Sequence, residues 1–340
     1  MNINDIILQA KESKGLNAES ALELFNSEES LDFAEKVRRS VFSSAITLTA
    51  ALDFNSEQTL AGLKLRASDL AASGNRRILV NIDNINAIDL SELIDSLLSI
   101  ERKRDDIKRV DLKLPENTTD EALDSLKESD ATVILPANSD APLLAKSIGI
   151  ADIGLSTSFT SDECLDQLET LLHRADEISP RLIMIDRDSA LPPELFVRIC
   201  QIIRIAQPFS ALVISSDEEM SLAKYATTIK LEPGEKLDKF INKMIRAAML
   251  PSFCAACRSE DRVGETFRED CKSGKMHNCC YLNALISLKE FLTDFGTQDT
   301  RIVGTDMILR ELYSIKNDQV RALMVKTLKD MRNGERGFHV

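Results

Sequence analysis

The sequence predicts a (β/α)8 barrel of the TIM type, preceded by helices and followed by a helical, cysteine-bearing domain. Three observations lead there. Eight short apolar runs alternate with amphipathic stretches between residues 46 and 248, the rhythm of parallel strands joined by crossover helices. The first 44 residues show helical periodicity alone. Five of the seven cysteines fall between residues 254 and 280, a stretch unlike the rest of the chain.

In chain order, Ile6, Ile7 and Ala10 recur on one helical face, and Gly15 stops the run. Ala21, Leu22, Leu24 and Phe25 carry a second helix, and Leu31, Phe33, Ala34 and Val37 a third. The predicted strands are Ile46–Leu52, Ile78–Ile82, Val110–Leu114, Thr132–Leu135, Ile150–Leu155, Leu182–Ile185, Ala211–Ile214 and Thr227–Leu231. Helical stretches between them are Leu90–Glu101, Thr119–Lys127, Ser161–Ala175, Pro193–Ile205 and Lys236–Ala248. An open doubly wound sheet is the alternative, but no GxGxxG follows the first strand. Pro251 marks a boundary. The expected domains are therefore an N-terminal helical segment (1–44), the barrel (45–250) and a C-terminal domain (251–340). The last contains three further helical stretches, Asn283–Phe295, Thr305–Ile315 and Asp318–Met331.

The charge balance narrows the partners. With 42 Lys+Arg against 55 Asp+Glu, the net charge is −13. That argues against nucleic acid, whose binding rests on basic side chains releasing counterions, and against an anionic membrane surface. Trp is absent and aromatics are 5%, so base-stacking platforms are not expected. No apolar run approaches a membrane span, and Met1-Asn2-Ile3-Asn4-Asp5 lacks the features of a signal peptide. A cytoplasmic protein with reduced thiols is expected. Cys164 and Cys200 then read as small buried hydrophobes.

The other cysteines read differently. Cys254-Ala-Ala-Cys257 places two sulfurs on one side of a tight turn, and Cys280 follows after 22 intervening residues. Between Cys254 and Cys280 the only large apolar residues are Val263, Phe267 and Met276, too few to order the segment by burial. An inorganic core ligated by Cys254, Cys257 and Cys280 would order it. Spacing alone leaves zinc and iron–sulfur both open. Cys271 or Cys279 could close a four-ligand zinc site. Consecutive side chains point apart, so at most one of Cys279 and Cys280 is expected to bind. The chain has three histidines, and His277 reads as a surface or hydrogen-bonded residue, so a His-rich site is excluded.

Several residues of this segment resemble a family. Pro251-Ser252-Phe253-Cys254-x-Ala256-Cys257, Gly264 with Phe267, Lys272-x-Gly274, and Cys280-x-x-Asn283-Ala284-Leu285 are similar to the C-terminal cluster domain of the HydG family. Members of that family are radical-SAM tyrosine lyases that mature [FeFe]-hydrogenase. The resemblance continues through Leu288-Lys289-Glu290-Phe291-Leu292 to Asn333-Gly334-Glu335-Arg336. More loosely it includes Gly74-Asn75-Arg76-Arg77, Ile107-Lys108-Arg109-Val110 and Ile150-Ala-Asp152-Ile-Gly154 in the barrel. It implies that Cys254, Cys257 and Cys280 hold an auxiliary iron–sulfur cluster of the [4Fe-4S] type. One iron position would be open, where a labile iron bearing cysteine, CO and cyanide is built. Hydrogenase maturation proteins would be the partners, and cysteine a small ligand at the open iron.

The chain also departs from the family. Radical-SAM enzymes place Cys-x3-Cys-x2-Cys after the first barrel strand, and that place reads Asp53-Phe54-Asn55-Ser56-Glu57, with no Cys before position 164. The SAM contact after the second strand reads Asn81-Ile82-Asp83-Asn84, without glycine. The barrel histidine that helps hold the labile iron in the family falls at Arg181. The expectation is a shortened relative that binds a cluster, receives or hands on an iron–ligand unit, and does no SAM chemistry. A cluster-dependent lyase acting on a small thiol and a structural-zinc interaction protein are the alternatives. In the barrel, the expected mouth begins near Asp53, Asp83, Pro136, Ser156, Asp186 and Ser215, at the C-terminal ends of strands. Asp186, Arg187 and Asp188 are the groups that could hold the amino and carboxylate groups of an amino acid such as cysteine.

Overall fold

The computed structural model describes residues 3–233 apart from 43–46, 56, 73–76, 86–88, 101–108, 217, 219–221 and 223–224, together with residues 235, 313, 318, 321, 322 and 325. The chain packs as two compact units, Met1–Leu237 and Asp238–Val340. In the second unit the described residues are helical, and Arg321 pairs with Asp318 one turn away.

The first unit opens with three helices, α1 (Ile3–Lys11), α2 (Ala18–Phe25) and α3 (Ala34–Phe42). Gly15 ends the first run with φ +77, a conformation that favours glycine. A Cβ there would also lie 2.9 Å from the Ala206 carbonyl oxygen, and that same oxygen accepts from Leu16 N at 3.2 Å. α2 then starts at Asn17, whose side chain accepts from Ser20 N at 3.2 Å and satisfies one exposed helix donor.

Eight parallel strands follow: β1 (Thr47–Phe54), β2 (Arg77–Ile82), β3 (Arg109–Lys113), β4 (Thr132–Pro136), β5 (Ile153–Phe159), β6 (Leu182–Arg187), β7 (Ala211–Ser215) and β8 (Thr228–Leu231). They pair in sequence order, and β8 closes on β1 with Thr49 opposite Lys230. The helices between them are α4 (Leu60–Ala72), α5 (Leu90–Leu98), α6 (Asp120–Asp124), α7 (Ala141–Ile148), α8 (Cys164–Ile178) and α9 (Pro193–Ala206). Each predicted strand is present, within about a turn of its expected bounds. The alternation implies helices at the places of α4 and α7, but the pattern sets no bounds for them.

Strand residues alternate between two cores. Outward residues such as Ile78, Val80, Leu112 and Val133 pack with Leu63, Leu93, Ile94 and Leu97 of the surrounding helices. Each such side chain, fully buried, stabilises the fold by roughly 1.5–3 kcal/mol. Inward residues Ala51, Leu79, Ile134, Leu182, Met184 and Val213 form a separate apolar plug inside the barrel. The plug divides the interior into two polar ends, and the two ends carry different chemistry.

One arginine of α9 holds the second N-terminal helix, and another braces the loops that flank β7. Arg198 donates to the carbonyls of Phe25 at 2.8 Å and Leu24 at 3.0 Å at the end of α2. Arg204, fully buried, donates to the carbonyls of Tyr225 (3.1 Å), Pro208 (3.1 Å) and Ser210 (3.0 Å). Burial, helped by the nearby Arg38 charge, pushes the Arg204 guanidinium down to about 9, so it still carries its charge at neutral pH. No helix among the described residues is long and apolar enough to cross a membrane.

Candidate functional site

The C-terminal ends of the strands gather polar side chains directly above the apolar plug. Because inward positions recur every second residue, Leu182 and Met184 of β6 put Asp186 inward as well. Its carboxylate accepts from the Lys230 ammonium of β8 at 2.7 Å. The Lys113 ammonium of β3 lies 3.8 Å from its other oxygen. Lys230 is only 9% exposed, so its charge depends on Asp186, with Glu232 3.8 Å away on the other side. Glu232 in turn accepts from the Ser215 hydroxyl at the end of β7. On the β1–β2 side, Asn81 donates to Asp53 at 2.8 Å.

A cavity of about 540 Å³ opens beside this cluster, lined among others by Lys113, Glu116, Ser156, Ser158, Glu163 and Gln167. One cation, Lys113, and three carboxylates, Glu116, Glu163 and Asp166, on one small polar cavity can hold a zwitterion: an ammonium on the acidic side, a carboxylate on Lys113.

The sequence expectations fare unevenly here. Asp53, Pro136, Asp186 and Ser215 stand at strand C-terminal ends and Asp83 follows β2, whereas Ser156 lies in the middle of β5, which runs on to Phe159. Of the trio Asp186, Arg187 and Asp188, only Asp186 faces the mouth. Arg187 points outward, where Glu218 accepts from its Nε at 2.8 and 2.9 Å and its Nη1 donates to the Leu191 carbonyl at 2.9 Å. Asp188 is occupied in its own turn, accepting from Ala190 N at 3.1 Å. Lys113 and Lys230 escaped sequence reasoning. Their signal was alternation: Lys230 occupies the inward phase of Thr228-Ile229-Lys230-Leu231, flanked by outward apolar residues.

Arg181 also needs correction. It stands just before β6, at the N-terminal end of the barrel, and donates to Asp152 at 3.1 Å. With β6 spanning roughly 20 Å, Arg181 cannot reach a ligand at the mouth, so it does not stand where a mouth ligand would.

The loop after β1 is closed by polar side chains. Arg66 of α4 donates to the Asp53 carbonyl at 3.0 Å and to Gln58 Oε1 at 2.5 Å. Asn55 Oδ1 accepts from Glu57 N at 3.1 Å, and Thr59 accepts from Gly62 N at 3.2 Å at the start of α4. No thiol stands here to ligate a cluster. Among the described residues, no three His, Cys, Asp or Glu side chains are grouped to hold a metal.

Cys254, Cys257, Cys271, His277, Cys279 and Cys280 lie outside the described residues. The two barrel cysteines diverge. Cys200 is fully buried in α9, as expected, and burial together with the Glu218 charge pushes its thiol far above the usual range. Cys164, at the start of α8, is half-buried rather than a core residue.

A closed parallel eight-stranded barrel with its sites at the strand C-terminal ends defines the class of (β/α)8 proteins. Within that class, its fold is that of HydG. A crystal structure of HydG, a maturase of the [FeFe]-hydrogenase, matches with a TM-score of 0.66 at 22% identity, covering 99% of this chain and 95% of that one. HydG from Carboxydothermus hydrogenoformans matches with a TM-score of 0.61 at 19% identity, over 95% and 93% of the two chains. Methylornithine synthase (PylB) matches with a TM-score of 0.52 at 15% identity, over 69% of this chain and 88% of that one. No protein-family model and no curated protein sequence matches the chain.

Proposed function

We propose that this protein is an iron–sulfur accessory protein of [FeFe]-hydrogenase maturation that works without SAM. One observation carries the reading: the fold of HydG extends over nearly the whole chain, while the loop after β1 holds polar side chains and no thiol. The cysteines are instead collected at 254–280. Cys254, Cys257 and Cys280 supply a three-thiolate donor set, which suits a [4Fe-4S]-type cluster with one iron left open. An open iron supplies an exchangeable coordination position when the cluster is bound. The cargo is an iron–ligand unit that the protein receives and hands on to other maturation proteins.

The barrel's own residues contribute recognition. Lys113 and the carboxylates of Glu116, Glu163 and Asp166 present opposite charges on the mouth cavity, a match for a small amino acid such as cysteine. Lys230 holds Asp186 in one orientation through its 2.7 Å hydrogen bond.

Anaerobic reconstitution of the full chain with iron and sulfide, followed by quantification of both, tests the reading. Three to four irons with matching sulfide per chain (the content of roughly one cube), lost in Cys280→Ala, are expected. Zinc in place of iron, or iron without sulfide, would overturn it.

A further inference from the structure

The opposite end of the barrel carries charge that the proposed function does not use. Five side chains alternate there in sign. Arg77 pairs with Asp111 at 2.5 Å, Asp111 accepts from Arg109 at 3.3 Å, and Arg109 pairs with Asp152 at 3.1 Å. Asp152 then accepts from Arg181 at 3.1 Å. The chain begins and ends on a cation, so three guanidinium groups share two carboxylates. Residues at this face of a (β/α)8 barrel ordinarily serve stability, and here the network leaves one positive charge in excess.

The unbalanced charge faces open space. Arg77, Arg109 and Arg181 all line a cavity of about 360 Å³, whereas Asp111 and Asp152 do not. Asp111 is almost fully buried behind them. Arg77 Nη1 and Nη2, Arg109 Nη1, and Arg181 Nε and Nη2 have no hydrogen-bond partner among the described residues. Thr227 and Thr228 add hydroxyl groups to the wall. Thr49, one residue before the Ala50–Ile78 pair that sets the β1–β2 register, keeps a buried hydroxyl with no partner. Planar guanidinium forks converging on one cavity match the geometry of a tetrahedral oxyanion.

The cavity is larger than one oxyanion fills, and its remaining walls are apolar. Phe42 forms one side, its ring held 5.2 Å beneath the Arg204 guanidinium. Phe209 forms another and is 71% exposed.

We propose that the N-terminal face of the barrel is an oxyanion site, in which Arg77, Arg109 and Arg181 together hold the phosphate of a small phosphorylated ligand. The site is separated from the mouth by the apolar plug, so it stands or falls independently of the cluster.

Titration of the purified full chain with inorganic phosphate and with adenosine monophosphate, at low salt, tests this by calorimetry and thermal shift. Both probes are expected to bind, and Arg181→Ala to weaken binding roughly tenfold or more, the loss of one charge-assisted contact. Arg181 is 58% exposed at its side chain and makes one ion pair, so this variant should fold. Arg109→Lys, which keeps the charge but loses the fork, is expected to weaken binding as well, while Lys64→Ala on the outer surface of α4 leaves it unchanged. Failure of both probes to bind would overturn the proposal. Binding that Arg181→Ala and Arg109→Lys leave intact would place the anion elsewhere and overturn it equally.

Discussion

The loop after β1 and the segment 254–280 are built from opposite chemistry. The first is ordered by ordinary hydrogen bonds: Arg66 ties the Asp53 carbonyl and Gln58 together, and Asn55 closes the turn. It needs no metal. The second holds five cysteines and ten charged residues between 258 and 275, with only Val263, Phe267 and Met276 as large apolar groups. Burial cannot order such a stretch, because a few apolar side chains do not offset the conformational entropy of some 27 residues. A fold shared with HydG thus carries a hydrogen-bonded turn after β1 and a collection of cysteines at 254–280. Reductive chemistry on SAM and the holding of an iron unit are separable tasks, and the proposed function assigns this chain the second.

The comparison breaks first at the thiolates. Alanine at Cys254, Cys257 or Cys280 is expected to remove most of the bound iron, since two remaining thiolates hold a cluster poorly. Alanine at Cys164 or Cys200 should leave iron unchanged. Iron and sulfide analysis after reconstitution reads both. Should Cys271→Ala or Cys279→Ala prove as damaging as Cys280→Ala, a closed four-cysteine site replaces the three-ligand one.

A second break would come from the β1 loop. The reduced, reconstituted protein is expected to produce no 5′-deoxyadenosine from SAM, which chromatography of the quenched reaction checks. Its appearance would mean that the turn at Asp53–Glu57 does not exclude SAM chemistry.

The mouth sharpens the contrast energetically. Asp186→Asn should destabilise the barrel by about 2–3 kcal/mol in urea unfolding, because it leaves the Lys230 ammonium without its main partner. Asp186→Asn combined with Lys230→Met should recover part of that loss.

The smallest effect concerns the barrel thiols. Cys164 is expected to react with a thiol reagent in the native state while Cys200 stays inert, its thiolate disfavoured by complete burial. Peptide mapping after labelling distinguishes them.

Much of the barrel was legible in the sequence because continuous apolar runs bounded by polar residues are strong signals. All eight strands show this, from Ile78–Ile82 to Leu182–Ile185. The bounds of α4 were not legible: in Leu60–Ala72, apolar and charged residues are spread around the helix instead of lying on one face. α7 was short and opened on Pro142 at its first turn. At the site, Asp186 could be placed by its strand end, but Arg187 and Asp188 were grouped with it wrongly. Strand alternation would have sent Arg187 outward to Glu218. The Lys230–Asp186 pair joins residues 44 apart and the Lys113–Asp186 pair joins β3 to β6. Only barrel closure brings them together, so no local pattern announces either pair.

The central claim is that the cluster keeps an open iron able to take a small ligand. EPR of the reduced, reconstituted full chain, recorded with and without L-cysteine, tests it most directly. The account predicts a spectrum of a [4Fe-4S]-type cluster that changes on saturation with L-cysteine and disappears in Cys254→Ala. An unchanged spectrum at saturating L-cysteine, with the signal lost in Cys271→Ala or Cys279→Ala, would contradict it and identify a closed, structural cluster.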